Sequence, residues 1–232
     1  MTSPALSLSI TQTITGATGA LLEGDHAGAL ALLQTSLTCA KAGLAAQDTP
    51  LLQEVRRGMP FQLYALPLEL EKPGESPRSS CPGSIFTFYD AALVSQEMCG
   101  DVELLFAAEL SAMILYNLGL VYHRSAVMTG STAYFSKALK LYDVAASIVL
   151  APGAEFNFYH DMNLLRLALY VNMGHIYSNF FEQEGTTKCA EGIQKLLSTS
   201  DVNALTPELR KLFFENTFVT EEQRRLNLAP AA

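Results

Sequence analysis

The chain has 232 residues, of which 49% are apolar and only 16% charged, with 15 basic and 23 acidic side chains and a formal charge of −8. This composition is too apolar for a disordered chain, and the length suits one domain or one short repeat array. Residues 1–115 carry 5 basic and 12 acidic side chains and residues 116–232 carry 10 and 11, with no basic cluster of nucleic-acid type, Arg56-Arg57 and Arg224-Arg225 being isolated pairs; this argues against nucleic acid and lipid surfaces as partners.

So little charge implies either a compact body of buried helices or a surface covered in part by another molecule. Cys39, Cys81, Cys99 and Cys189 show no metal-ligand spacing, and thiols in a reducing compartment are expected rather than a disulfide framework. No basic presequence is evident and no clean apolar run reaches 18 residues, so a cytoplasmic or nuclear protein without a membrane span is expected.

Taken in order, residues 1–8 are expected to fray, and a threonine-rich helix is expected from Ser9 or Ile10. Gly24-Asp25 punctuates, with Asp25 as N-cap of an alanine- and leucine-rich helix from His26 to about Ala46 whose apolar stripe is Ala29, Leu33, Leu37 and Ala40. Asp48-Thr49-Pro50 can cap a short helix to Arg57, which Gly58-Met59-Pro60 ends. Residues 60–90 read as an inserted extended segment: residues 61–70 pair with a strand at 85–89, and the Pro- and Gly-rich stretch 71–83 forms an exposed loop between them. A helix starting between Tyr89 and Ser95 is the competing reading.

A strongly apolar helix is expected from Val102 to about Thr129, with a break at Gly130 or Ser131 and a return helix over Ala133–Leu150. Pro152-Gly153 stops it. Another helix is expected over Leu164–Phe181, then a break at Gly185, a return helix over Thr187–Leu197 and a helix start at Thr206-Pro207. Beyond that the sequence is less regular: Phe213, Phe214 and Phe218 pack on the last helix or extend the sheet, and residues 225–232 form a tail.

Two hexamers stand out, "NLGLVY" at Asn117–Tyr122 and "NMGHIY" at Asn172–Tyr177. Superimposing Gly119 on Gly174 also aligns Gly130 with Gly185. A mid-helix glycine costs about 1 kcal/mol against alanine, so its repetition calls for a reason, and close approach of the following helix is the simplest. Tyr122 and Tyr177 would fill the space beside it.

These residues resemble tetratricopeptide repeats. Gly119 and Gly174 match the small position of the family's first helix, Tyr122 and Tyr177 its aromatic position, and Ala17, Gly24-Asp25 and Ala29 the corresponding parts of the first pair. Ala138, Ala145-Ala146 and Ala190 match small positions on the return helices. The hexamers lie 55 residues apart rather than 34, and Gly119 to Gly130 spans 11 residues where the family has seven. The resemblance covers about residues 10–45 and 105–197. It implies a mainly α fold, an antiparallel helix-pair repeat array with a small β-hairpin insertion, forming one domain over 1–232.

The resemblance also implies a concave face on which Asn117 and Asn172 can hold an extended peptide's backbone, flanked by Tyr116, His123, Arg124, His175 and Asn179. The lysines of a clamp for acidic tails are missing. The same asparagines could instead tie helices together, or the groove could be filled by the chain's own tail or insertion. His123 and His175 could approach one another; Cys39 and Cys189 are expected as small buried residues. No zinc-binding helix, phosphate loop or nucleophile elbow occurs, and "GATGALLEG" at Gly16–Gly24 lacks the strand and third glycine of a dinucleotide site. The expected function is therefore a noncatalytic adaptor or scaffold for a peptide or protein partner, with no cofactor and no metal. The alternatives are a structural subunit of a larger complex, or an enzyme whose pocket the sequence does not reveal.

Overall fold

A computed structural model describes residues 10–44, 62–68, 86–95, 106–150, 162–198 and 205–228. Three antiparallel helix pairs follow one another: α1 (Ile10–Leu22) with α2 (His26–Leu44), α3 (Ala107–Thr129) with α4 (Thr132–Val149), and α5 (Asn163–Asn179) with α6 (Gln183–Ser198). A seventh helix, α7 (Pro207–Leu228), packs on α6 and α5. Each helix also packs on the next in sequence, α2 on α3 and α4 on α5, so the pairs stack in chain order as a helical-repeat-like array. Among the described residues no helix is long and apolar enough to cross a membrane.

Threonine is a weak helix former, yet Thr11, Thr13 and Thr18 of α1 are buried. The Thr18 hydroxyl donates to the Ile14 carbonyl at 3.0 Å, so a polar atom enters the core already bonded. Asp25 caps α2 as expected, its Oδ1 accepting from the Gly28 N–H at 2.9 Å. The short helix expected to end at Arg57 and the loop at 71–83 lie outside the described residues.

The insertion is a two-stranded antiparallel sheet, with β1 (Leu63–Pro67) paired to β2 (Ala91–Ser95) from Leu63↔Ser95 to Pro67↔Ala91. The partner strand thus begins six residues later than the expected 85–89. Phe86 to Asp90 lie outside the strand pair, although the Asp90 carbonyl still accepts from the Leu68 N–H, and the backbone N–H groups of Thr87 and Tyr89 are bonded to asparagine side chains. All five residues of β2 are buried, which is why no polar–apolar alternation marks it in the sequence.

Two further boundaries differ. Gly185 lies inside α6, where a Cβ would come 2.6 Å from the Tyr177 ring; the break falls earlier, at Phe180–Glu182. α7 is one helix through Leu228, so it runs into the stretch expected as a tail from residue 225.

The turns within the three helix pairs repeat one backbone feature. α1, α3 and α5 each end on a left-handed residue: Gly24 (φ 79°), Gly130 (φ 69°) and Phe181 (φ 56°). At the first and third ends the chain closes the same way, with Asp25 N–H donating to the Ala20 carbonyl and Glu182 N–H to the Tyr177 carbonyl. The structural counterpart of Gly130 is Phe181, not Gly185. From Ala17 to Gly24 and from Gly174 to Phe181 is seven residues, whereas α3 runs about one helical turn longer before Gly130.

Candidate functional site: a self-filled asparagine face

The expected groove residues come together, and they surround the chain's own segment 86–95. Leu68 N–H donates to the Asp90 carbonyl at 3.0 Å, one step beyond the paired strands. By the alternation of an antiparallel ladder, the bonded pairs are then 64/94 and 66/92, and the backbone groups of residues 91 and 93 face away from β1. Helix side chains meet that second edge.

Asn117 on α3 takes both backbone groups of Leu93: its Oδ1 accepts from the Leu93 N–H at 2.9 Å, and its Nδ2 donates to the Leu93 carbonyl at 2.7 Å. Asn172 on α5 does the same for Tyr89, at 2.9 and 3.2 Å. The Tyr116 hydroxyl donates to the Ala91 carbonyl at 3.0 Å, and Asn216 on α7 accepts from the Thr87 N–H at 2.8 Å. Residues 87, 89, 91 and 93 are thus held at every second position, the spacing at which one edge of an extended chain presents its polar groups. A side-chain amide both donates and accepts, so it stands in for the missing neighbouring strand.

The two asparagines are almost fully buried, Asn117 at 1% exposure and Asn172 at 0%. An open face exposing them is therefore corrected: burying the backbone of 86–95 requires partners, and these side chains supply them. Asn216 was not anticipated. It lies on the same helix face as Leu209, Leu212 and Phe213, and a polar residue on an apolar stripe was its only mark in the sequence.

Behind the segment lies a buried polar chain. Asn172 Nδ2 donates to the hydroxyls of Tyr116 and Tyr142, at 3.3 and 3.4 Å. Tyr142 Oη lies 3.3 Å from His123 Nδ1, and His123 Nε2 lies 2.9 Å from His175 Nδ1. Asn179 Nδ2 approaches His175 Nδ1 at 3.3 Å and donates to the His175 carbonyl at 2.8 Å. An amide N–H beside His175 Nδ1 makes that nitrogen the acceptor, so the consistent assignment has Tyr142 donating to His123 and His123 donating to His175. His175 Nε2 then carries a proton and is buried without a partner. Phe88 packs on both imidazoles, with ring centroids 4.2 and 5.6 Å away. Burial holds His123 well below the ordinary histidine range and His175 down at about 4, so both rings are neutral at pH 7.

Arg124, also buried, closes the far end. Its Nη1 donates to the Leu68 carbonyl at 2.7 Å and to Asp90 Oδ1 at 2.9 Å, joining both arms of the insertion to α3. Burial pushes the Asp90 carboxyl up to about 6 despite that partner.

The hexamer glycines make room for aromatic rings, from different sources. A Cβ on Gly119 would lie 2.6 Å from the Tyr142 ring of the following helix, whereas a Cβ on Gly174 would lie 2.5 Å from Phe86 of the segment. The following helix therefore accounts for one glycine only. Tyr177 lies over Gly185; Tyr122 stacks near Tyr134 at 6.2 Å, with Lys137 Nζ 5.4 Å from its ring centroid. Cys189 is buried as expected, but Cys39 is exposed. Among the described residues no three His, Cys, Asp or Glu side chains gather as a metal set.

The fold and site together define a mainly helical array of antiparallel helix pairs with a small β-insertion. No family model matches the chain, and neither a curated protein nor a solved structure does.

Proposed function

We propose that the chain is a noncatalytic scaffold or adaptor of the helical-repeat kind, its inner face loaded with its own segment 86–95, which meets a protein or peptide partner on its outer surface. The observation that supports this reading is the paired use of Asn117 and Asn172, which engage both backbone groups of Leu93 and Tyr89 and leave no amide free on that face. The neutral, buried histidines serve the same packing.

A peptide groove is the second reading, favoured because these amides touch only backbone and another extended chain offers the same groups. It would have to displace Phe86, Phe88 and Tyr89, all of them buried. The reading as a subunit that buries its aromatic segments at 61–66, 85–89 and 213–218 against another chain has divided support: Phe86, Phe88, Tyr89 and Phe213 pack internally, whereas Tyr64 and Phe214 are half exposed.

The test is purification of the full chain from its own cells at native concentration, followed by challenge with excess peptide of sequence 86–95. A heteromeric complex that survives the peptide supports the outer-surface scaffold. A complex that dissolves favours the groove, and a chain found only as a free monomer counts against both.

A further inference from the structure

β1 belongs to a two-stranded sheet that uses only one of its edges. Tyr64 and Leu66 carry its bonds to β2, so the backbone groups of Leu63, Ala65 and Pro67 face the other way, and among the described residues nothing bonds to them. The second edge of β2 differs, being met by Asn117 and Tyr116. The side chains of Leu63 and Ala65 pack on the core, so those of Tyr64 and Leu66 point outwards, 48% and 37% exposed.

A free edge is normally guarded by a charge, a bulge, a proline or a covering element. From Gln62 to Leu68 there is no charged residue, and the ladder from Leu63↔Ser95 to Pro67↔Ala91 runs without a bulge. Pro67 is the one guard among the described residues. Its missing N–H falls on the free edge at the end of the strand, and the centre, at Ala65, stays open.

We propose that this edge pairs with the same strand of a second copy of the chain, antiparallel about a two-fold axis at Ala65, joining the two sheets into one. β1 is its own complement in that arrangement. Ala65 exchanges both backbone bonds with Ala65 of the second copy, and each Leu63 N–H donates to the opposite Pro67 carbonyl. The absent Pro67 donor leaves only the Leu63 carbonyl unbonded, at the rim, where water reaches it. Tyr64 comes opposite Leu66 of the second copy, and Leu66 opposite its Tyr64, at the non-bonded positions where cross-strand side chains lie closest. The two apolar side chains that β1 exposes therefore cover each other. A foreign strand would satisfy the same backbone groups; the match of Tyr64 with Leu66 is specific to self-pairing. The uncharged strip is also a place where two chains of formal charge −8 can meet without opposing like charges. A strand of 5 residues buries far less than the roughly 1,200 Å² of a stable interface, so the dimer is weak, with a Kd on the order of 100 μM. Such pairing does not rest on the scaffold reading, since it uses none of the groups that hold segment 86–95.

The test is sedimentation equilibrium of the full chain to concentrations well above that Kd, with amide exchange followed on the same samples. Wild type self-associates, more strongly as salt rises, because screening relieves the repulsion between two acidic chains. Exchange of the Leu63 and Ala65 amides slows with concentration, a readout that needs no variant. Y64K/L66K sets lysine opposite lysine across the axis and weakens the dimer by about tenfold or more. Y64K/L66E sets lysine opposite glutamate and recovers it, a reversal expected only for this register. The pairing is overturned if wild type stays monomeric, if exchange at Leu63 and Ala65 is independent of concentration, if Y64K/L66K associates as wild type does, or if Y64K/L66E is as weak as Y64K/L66K. A monomeric wild type whose complex with another protein is lost in Y64K/L66K also overturns it, and gives the edge to a foreign strand.

Discussion

The hexamers at Asn117–Tyr122 and Asn172–Tyr177 share three residues, asparagine, glycine and tyrosine, and differ in what those residues touch. Their asparagines do one job, holding both backbone groups of a residue in segment 86–95, at Leu93 and Tyr89. Their glycines face a ring of the next helix in one case and a ring of the inserted segment in the other. Their tyrosines diverge further, Tyr177 lying over Gly185 and Tyr122 near Tyr134. What repeats is the geometry of a helix face against an extended chain. The apolar neighbours are whatever the local packing supplies.

The largest effects should come from the feature the two hexamers share. Replacing Asn172 by alanine orphans the Tyr89 N–H and carbonyl in a buried site and loosens the Tyr116 and Tyr142 hydroxyls, which should cost about 4 kcal/mol. Asn117→Ala orphans only the Leu93 pair and should cost about 3 kcal/mol. Urea denaturation checks both; a loss under about 1 kcal/mol for either would mean that the segment is not held by these amides.

A comparable effect belongs to His123, which follows the first hexamer, and His175, which lies within the second. Because burial lowers their folded-state values, His123 and His175 favour folding fully above about pH 6.5, and that contribution is lost as pH falls, for His175 through about 4. His175 alone is worth on the order of 3 kcal/mol. Asp90 acts in the opposite sense: raised to about 6, its contribution is present at low pH and lost as pH rises through that value, so it offsets part of the loss. Net destabilisation between pH 6.5 and 4 is expected, and the double variant His123→Gln/His175→Gln should flatten it. Equal acid sensitivity in that variant would exclude the pair as the cause.

The helix pairs were legible in the sequence because period and punctuation agreed there, at Gly24-Asp25 and at Gly130. Asn117 and Asn172 were legible as backbone-holding residues on one face, but what they hold was not, since a groove filled from within and one filled from outside ask for the same asparagines. The aromatic run 85–89 resembled a strand by its alternation; of its described residues, Thr87 and Tyr89 give their N–H groups to Asn216 and Asn172. The strand itself, Ala91–Ser95, was hidden by its complete burial. Gly185 looked like a breaker because glycine within a helix and glycine after one are the same letter; the true turn residue, Phe181, violates the usual preference and so gave no signal.

The glycines that differ between the hexamers separate next. Gly119→Ala and Gly174→Ala each drive a Cβ into a ring, and overpacking less the gain in helix propensity should leave a cost of about 1–2 kcal/mol. The second change that rescues each should differ. Tyr142→Leu should recover part of the loss in Gly119→Ala, and Phe86→Leu part of the loss in Gly174→Ala, with the crossed pairs merely additive. Rescue by the crossed partner would show that the two glycines share one packing environment.

The smallest effect distinguishes the two glycines that sequence alignment equated. Gly130 has φ 69° and open space where a Cβ would go, so its cost is conformational alone. Gly130→Ala should lose about 1 kcal/mol, and Gly130→Asn only a few tenths, because asparagine tolerates the left-handed region. Gly185 sits in regular helix under Tyr177, where asparagine is worse than alanine because it is larger and a poorer helix former. The order of the two substitutions should therefore invert between the sites, and thermal melts of four single variants suffice to see it. The same order at both would mean that Gly185 marks a turn after all, and that the third helix pair closes where the sequence first suggested.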